Sequence, residues 1–373
     1  MNKESNAVRM SGPDIIRTVA AFFMVAVHFF MECGYYATLM DTPVMFVMTL
    51  ERWLFMCCVP LYMMLTGFFK LNKEPDRAHY SSLIPVFISY LVFSVIRLSV
   101  NNYYYGEPAT VKDALLMLGD YSMAWYVGFY IALTAILPFL NRLWHALKSK
   151  REQHILLIAL VIISMLYPLV VLPFSSEAAP AAIIGSILGL AVPNYWQMLY
   201  PLVYYFLGCY IRENRPGINK LLLFFVMLAT VLINSLISYV LADGGNFDWF
   251  ILGRVDSGYN CITLAICAAA LFLLLYDIEI KNRGIRFILE KISSVSLEIY
   301  LASAVAETII FDRVNRMFFT IDDYLWLFFI LVPLNFICSI LISLIYKKIY
   351  RSVEAVIRKS VLKKSSATTR KLH

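Results

Sequence analysis

The sequence predicts an all-α, polytopic membrane protein with about ten transmembrane helices and both termini in the cytoplasm. Three observations carry this. Apolar residues make up 61% of the 373-residue chain, mean hydropathy is +0.71, and charged residues are only 15%, where a soluble domain has roughly a quarter. The apolar residues gather into blocks of roughly twenty, the helix length that crosses a hydrocarbon core of about 30 Å. Basic residues alternate between successive connections, as membrane orientation requires and as nucleic-acid binding does not.

Read in order, the spans fall at 12–33, 48–69, 80–100, 122–140, 154–173, 196–212, 220–242, 258–276, 294–311 and 324–346. They form one membrane domain, 1–346, followed by a basic tail, 347–373, read as flexible and resting near anionic lipid. The sixth span is the weakest, because 174–195 is also apolar and suits a re-entrant piece. The first block carries Arg17 and His28 and has no small-residue cleavage site, so it reads as a span, not a cleaved signal peptide. Counting connections, 25 basic residues lie in one alternating set and only Lys112, Arg254, Arg313 and Arg316 in the other. The basic set is therefore expected on the cytoplasmic side.

The seven cysteines lie mostly inside apolar blocks with no CxxC pair, so neither disulfides nor zinc is expected. Cys57 and Cys58 read as apolar filling. Glu51 and Arg52, at the outer end of the second span, read as an ion pair or a snorkelling end.

Ionisable side chains inside a membrane helix are expensive and mark function by default. The first span has four: Asp14, Arg17, His28 and Glu32. At 100° per residue they fall within an arc of about 60°, so this stripe should face the protein interior. Arg17 and His28 are separated by about 16 Å of helix rise. Asp14 reads as a partner of Arg17 or as an N-terminal cap. Glu32 is spaced to reach His28 at i,i+4, where a carboxylate fixes the imidazole tautomer and raises its basicity. Arg97 and Glu307 lie toward the outer ends of their spans. Tyr300, Ser303 and Glu307 share one face of the ninth span, suited to substrate or to interhelical contact. Trp125, Tyr126 and Tyr130 suit stacking on a sugar, and Trp125 and Tyr126 suit an interfacial aromatic belt equally well.

The Arg17-x10-His28 pair within Asp14-Ile-Ile-Arg17 resembles the opening motif of the acyltransferase 3 family of integral-membrane acyltransferases. Val59-Pro60-Leu61-Tyr62 with Leu65-Thr66-Gly67-Phe68 resembles that family's second-helix pattern. Trp125-Tyr126-Val127 through Pro138, Tyr204 to Ile211, and Ile299-Tyr300-Leu301 resemble later landmarks, so the likeness covers most of the chain. The Trp-Tyr-Val and Pro193-Asn194-Tyr195-Trp196 flavour resembles the bacterial branch that acetylates capsule or exopolysaccharide. The chain departs from many members at Met123 and Ser303, where they carry histidine, and at Glu298, where a small residue is common.

The resemblance implies O-acetyl transfer from cytosolic acetyl-CoA to a hydroxyl of a cell-surface or lipid-linked polysaccharide, at a bacterial cytoplasmic membrane and without a metal. His28, the only histidine inside a predicted span, is expected to be the general base, oriented by Glu32, because a sugar hydroxyl attacks poorly unless its proton is removed. Arg17, with Asp14 beside it, is expected to hold CoA phosphates or pantetheine amides. Lys70 and Arg151 are expected to help, with Lys73 and Lys148 as further cytoplasmic cations. Trp125, Tyr130, Arg97, Tyr300, Ser303 and Glu307 are expected on the acceptor side. The sequence leaves open a homo-oligomer. The rival classes are a transporter or flippase, which paired broken helices would favour, and a non-catalytic membrane sensor.

Overall fold

The computed structural model describes residues 10–106, 110–112, 115, 118, 124–170, 179–191, 194–247, 258–317 and 319–369. Among these residues no β-strand forms, and the one strand-like pairing is an isolated bridge between Leu39 and Asn246. Six segments among the described residues are long and apolar enough to cross a membrane. They are α1 (Ser11–Glu32); α2 (Pro43–Phe55) running into α3 (Cys58–Lys70); α4 (Arg77–Ser81) running into α5 (Leu83–Tyr105); α6 (Trp125–Ala146); α10 (Lys220–Ala242); and α14 (Ile321–Thr369) over its part up to Val356. A seventh arises if α12 (Arg283–Ser293) and α13 (Ser296–Val314), bent by 71°, are counted as one.

This is fewer than the ten expected. The difference lies in helix length. The predicted sixth and eighth spans correspond to α9 (Tyr200–Asn214) and α11 (Ile262–Leu275), of 15 and 14 residues, short of the twenty or so that a crossing needs. The predicted fifth span is α7 (Lys150–Val170), which runs into residues outside the description. The apolar 174–195 region contributes the 13-residue α8 (Ala179–Ala191). Residues 347–369, read as a flexible tail, continue α14 as helix.

Local signals set the helix starts. Thr42 accepts a hydrogen bond from Met45 N at 3.2 Å, with Pro43 as the first residue of α2. Asp76, Asn219 and Asn282 cap α4, α10 and α12 in the same way, each satisfying amides that the first turn leaves open. Gly106, at φ 66°, ends α5 in the left-handed conformation that suits glycine.

Helix α1 is the hub, packing on α2, α3, α11, α12, α13 and α14. The closest approach elsewhere is α3 against α9, where two glycines remove the side chains that would hold the backbones apart. A Cβ on Gly67 would strike the Tyr205 carbonyl oxygen, and one on Gly208 the Met64 carbonyl oxygen. Small residues allow such contact between membrane helices, which lack a hydrophobic drive to associate. Gly208→Ala is therefore expected to destabilise the fold by about 1–3 kcal/mol through overpacking, read as a lower melting temperature in detergent. An unchanged melt would show that α3 and α9 have room to part.

The basic connections gather at one end of the molecule. Asn141 of α6 donates to the carbonyls of Lys70 and Lys73 at 2.8 and 2.9 Å. Trp144 donates to Glu213 at 2.8 Å, and Lys220 pairs with Asp277 at 2.5 Å. At the opposite end, Met40 N donates to Gly245 O at 2.9 Å and Trp53 donates to Ser238 at 3.0 Å.

The seven cysteines are free. Cys57 is fully buried and meets Cys267, with 3.5 Å between sulfurs. Arg52 does not snorkel. It is fully buried, donates to Tyr36 Oη at 2.9 Å and lies 4.2 Å from the Phe247 ring centroid, an aromatic enclosure that stabilises a guanidinium by its ring faces.

Candidate active site

One cavity of about 340 Å³ runs beside α1. Its walls come from α1, α3, α5, α6, α13 and α14, together with Tyr259. Of the residues expected at the site, it brings together Arg17, His28, Lys70, Trp125, Tyr130 and Tyr300. Two members of the α1 stripe, Arg17 and His28, thus face one hollow, while Asp14 is buried outside it and Glu32 is exposed at the helix end.

Arg17 stands near the basic end. Its Nη1 donates to Ser293 Oγ at 3.3 Å and lies 3.8 Å from Asp14 Oδ1. Ser293 in turn donates to Asp14 at 2.6 Å. Asp14 is almost fully buried beneath this pair and outside the cavity wall, so it acts on Arg17 and leaves the cavity to the guanidinium. Arg17 also lies over the Phe69 ring at 4.6 Å. Lys70 reaches the same region, 4.7 Å from the centroid of Tyr130 and 3.5 Å from Thr134 Oγ1. A third cation, Lys347 of α14, lines the cavity and pairs with the buried Glu298. The sequence places Lys347 in the tail and marks Glu298 only as a departure. Two ionisable groups on adjacent membrane helices are the signal that would have linked them.

His28 stands toward the other end of the cavity, with Tyr300 6.3 Å from it, ring to ring. Its carboxylate partner is Glu307, at 3.7 Å from Nδ1, and not Glu32 as the i,i+4 spacing suggests. Glu32 is exposed at the end of α1, while Glu307 reaches across from α13 and is 7% exposed. Burial favours the partner that another helix supplies, because a terminal side chain is free to turn to water. Glu307 Oε1 is buried without a hydrogen-bond partner among the described residues. Glu32 feels the charges of Glu307, Arg97 and His28, so these four expected residues share one region. Neither Arg97, Glu32 nor Glu307 is among the residues lining the cavity.

Between the two ends the wall is aromatic. Tyr126 packs 5.9 Å from Tyr62, 6.5 Å from Tyr130 and 6.3 Å from Tyr300, ring to ring. Trp125 lies 5.9 Å from Tyr259. Tyr62 and Tyr259 were legible as aromatic residues but not as lining, since their positions depend on helices far apart in the chain.

Some expected site residues lie elsewhere. Ser303 is fully buried, donates to Tyr300 O at 2.9 Å and meets Met24 Sδ at 3.7 Å, so packing occupies its hydroxyl. Arg151 is exposed at the start of α7 and away from the cavity wall. Met123 lies outside the described residues. The histidines near the basic end are engaged in packing. His79 and His145 meet the backbone carbonyls of Thr134 and Leu71 at 2.8 and 3.1 Å, and His154 meets Tyr210 Oη at 2.9 Å. His28 is the one histidine at the cavity among the described residues. No group of three or more histidine, cysteine, aspartate or glutamate side chains able to hold a metal occurs among the described residues.

Apolar helices of spanning length around an internal cavity, with a histidine at one end and cations at the other, define a multi-pass membrane protein with an enzyme-like site. Residues 10–344 match the family model described as an acyltransferase domain, Acyl_transf_3. The chain belongs to the acyltransferase 3 family and is a membrane acyltransferase whose acceptor is not an aminoacyl group. No curated protein and no solved structure matches it.

Proposed function

We propose that the protein moves an acetyl group from cytosolic acetyl-CoA to a hydroxyl of a bacterial cell-surface or lipid-linked polysaccharide. The observation that carries this reading is the single cavity holding Arg17 and Lys70 toward one end and His28 toward the other. That arrangement suits a donor with a phosphorylated head and a thioester at the tip of a long arm. Arg17 and Lys70 bind the polyanionic head at the basic end, taken as cytoplasmic, in the bacterial inner membrane. The arm runs along the aromatic wall of Tyr62, Tyr126 and Tyr130 toward His28.

In the transfer step, His28 Nε2 takes the proton of the acceptor hydroxyl as its oxygen attacks the thioester carbonyl. The carbon–sulfur bond breaks, and the departing CoA thiolate recovers the proton from the imidazolium. Glu307 stands beside Nδ1, so it favours the tautomer with the proton there and leaves Nε2 free to act as the base. It is a positioning residue, in the role the sequence gives to Glu32. Trp125 and Tyr300 offer ring faces to the acceptor, with Arg97 and Glu32 beyond them.

Purified protein in detergent is expected to bind acetyl-CoA and to release or transfer its label. Mass spectrometry of surface polysaccharide from cells with and without the protein is expected to show a lost O-acetyl group. An unchanged glycan together with no acetyl-CoA binding would turn the reading toward transport. Glu307→Gln keeps the shape and removes the charge. It is expected to lower kcat about tenfold, the scale of about 1.4 kcal/mol of lost positioning, with the donor KM little changed and the pH profile displaced. Glu32→Gln is expected to do much less, and the reverse order would restore Glu32 as the orienting group.

A further inference from the structure

A second, apolar groove lies on the other side of the cavity wall. Its volume is about 680 Å³, and it runs in the seam between α5 and α14, lined by Ile88, Val92 and Ile96 on one side and Ile342, Ile345 and Ile349 on the other. Both helices pack on α13. The groove opens away from the core, where Val95 of α5 and Leu341 of α14 are exposed, so its open side faces the bilayer. Its α14 wall, from Ile342 to Glu354, is about 18 Å long at the helical rise. One leaflet of a hydrocarbon core of about 30 Å is about 15 Å deep.

Only a thin partition separates groove from cavity. Ser89 lines the cavity and Tyr346 lines the groove, and their hydroxyls are hydrogen-bonded at 3.0 Å. Phe93 packs on the Tyr346 ring at 5.0 Å. The next residue, Lys347, turns into the cavity. The seam therefore changes from hydrocarbon to charge across one residue of α14, the profile of a molecule with an apolar tail and a polar head.

We infer that the seam between α5 and α14 seats the hydrocarbon tail of a lipid-borne acceptor, whose hydroxylated head enters the cavity past Ser89 and Tyr346. The inference rests on the acyl-transfer reading and narrows its acceptor, a cell-surface or lipid-linked glycan, to the one carried on a membrane lipid. Transfer needs two substrates at His28 together. The soluble donor enters by the basic end, and the seam meets the cavity beside Lys347 from within the bilayer, so the second substrate comes from the side. No bond is made or broken at the groove itself, so it acts on acceptor binding alone.

Two measurements test this on the full-length protein. In nanodiscs doped with a phospholipid carrying a diazirine at the end of one acyl chain, irradiation is expected to label 88–96 and 342–353 several-fold more than the lipid-facing residues of α10. Equal labelling of α10 would make the groove ordinary boundary lipid and overturn the inference. In native membranes, Val92→Trp combined with Ile345→Trp fills the seam. It is expected to cut O-acetylation of lipid-linked glycan at least tenfold while acetyl-CoA binding stays within twofold. Normal acetylation by the filled variant would also overturn the inference. Wild-type protein that binds no acetyl-CoA would instead defeat the acetyl-transfer reading, a different result from either.

Discussion

His28→Ala is expected to lower acyl transfer by roughly 10²–10⁴-fold, the usual contribution of a positioned general base, while donor affinity stays within a few-fold. The expectation follows from placement. His28 is the histidine that lines the cavity among the described residues, and the histidines near the basic end already meet carbonyl or hydroxyl oxygens. No neighbouring imidazole is free to take over. A polar group of similar size makes a sharper control: His28→Gln fills the space but cannot accept and return a proton, so it should lose as much rate as alanine. The check is transfer of labelled acetyl from acetyl-CoA by protein in nanodiscs, alongside binding of the donor by calorimetry. Transfer surviving in both variants would remove the histidine from the chemistry and leave the cavity as a binding site.

The second large effect belongs to Arg17. Arg17→Ala removes a guanidinium that faces the cavity and is supported by Asp14 and Ser293. A charge-assisted hydrogen bond is worth about 1.5–3 kcal/mol, so donor binding is expected to weaken roughly 10–100-fold. Arg17→Lys should recover only part of the loss, because an ammonium offers a point charge in place of a planar fork. The effect should appear in the donor KM and be larger for acetyl-CoA than for acetyl-pantetheine, which carries none of the phosphates. Equal losses with both donors would place Arg17 against the arm and not the head. Because the variant removes a partner of the buried Asp14, its melting temperature must be measured beside its affinity, and a collapsed fold is then told apart from a lost contact.

What the sequence discloses of this site is mostly what one helix encodes by itself. The α1 stripe is periodic, and side chains at those positions have no choice but to point the same way. So Arg17 and His28 both line one cavity. Glu32 shows the limit of that logic. Spacing within α1 makes Glu32 available to His28, but Glu307, 279 residues further on, takes the place because the packing of α13 delivers a carboxylate that cannot turn to water. The Lys347–Glu298 pair and the approach of Tyr259 to Trp125 are hidden for the same reason. The break between α2 and α3 and the shortness of α9 and α11 were obscured by hydropathy, which registers apolar content and not where a helix stops. One missed element did leave a trace. Ile285, Ile288, Leu289 and Ile292 recur at helical spacing between the basic residues of 281–291, the mark of an amphipathic helix, and α12 is that helix.

Helix α12 carries Arg283, Arg286 and Lys291 around that apolar row, with Ile285 and Ile288 exposed, and it meets α13 at a bend of 71°. A helix of this composition suits the headgroup layer, apolar side toward the acyl chains. Its last residue is Ser293, the one that grips both Asp14 and Arg17. A lipid surface that holds α12 therefore bears, through Ser293, on the placement of Arg17.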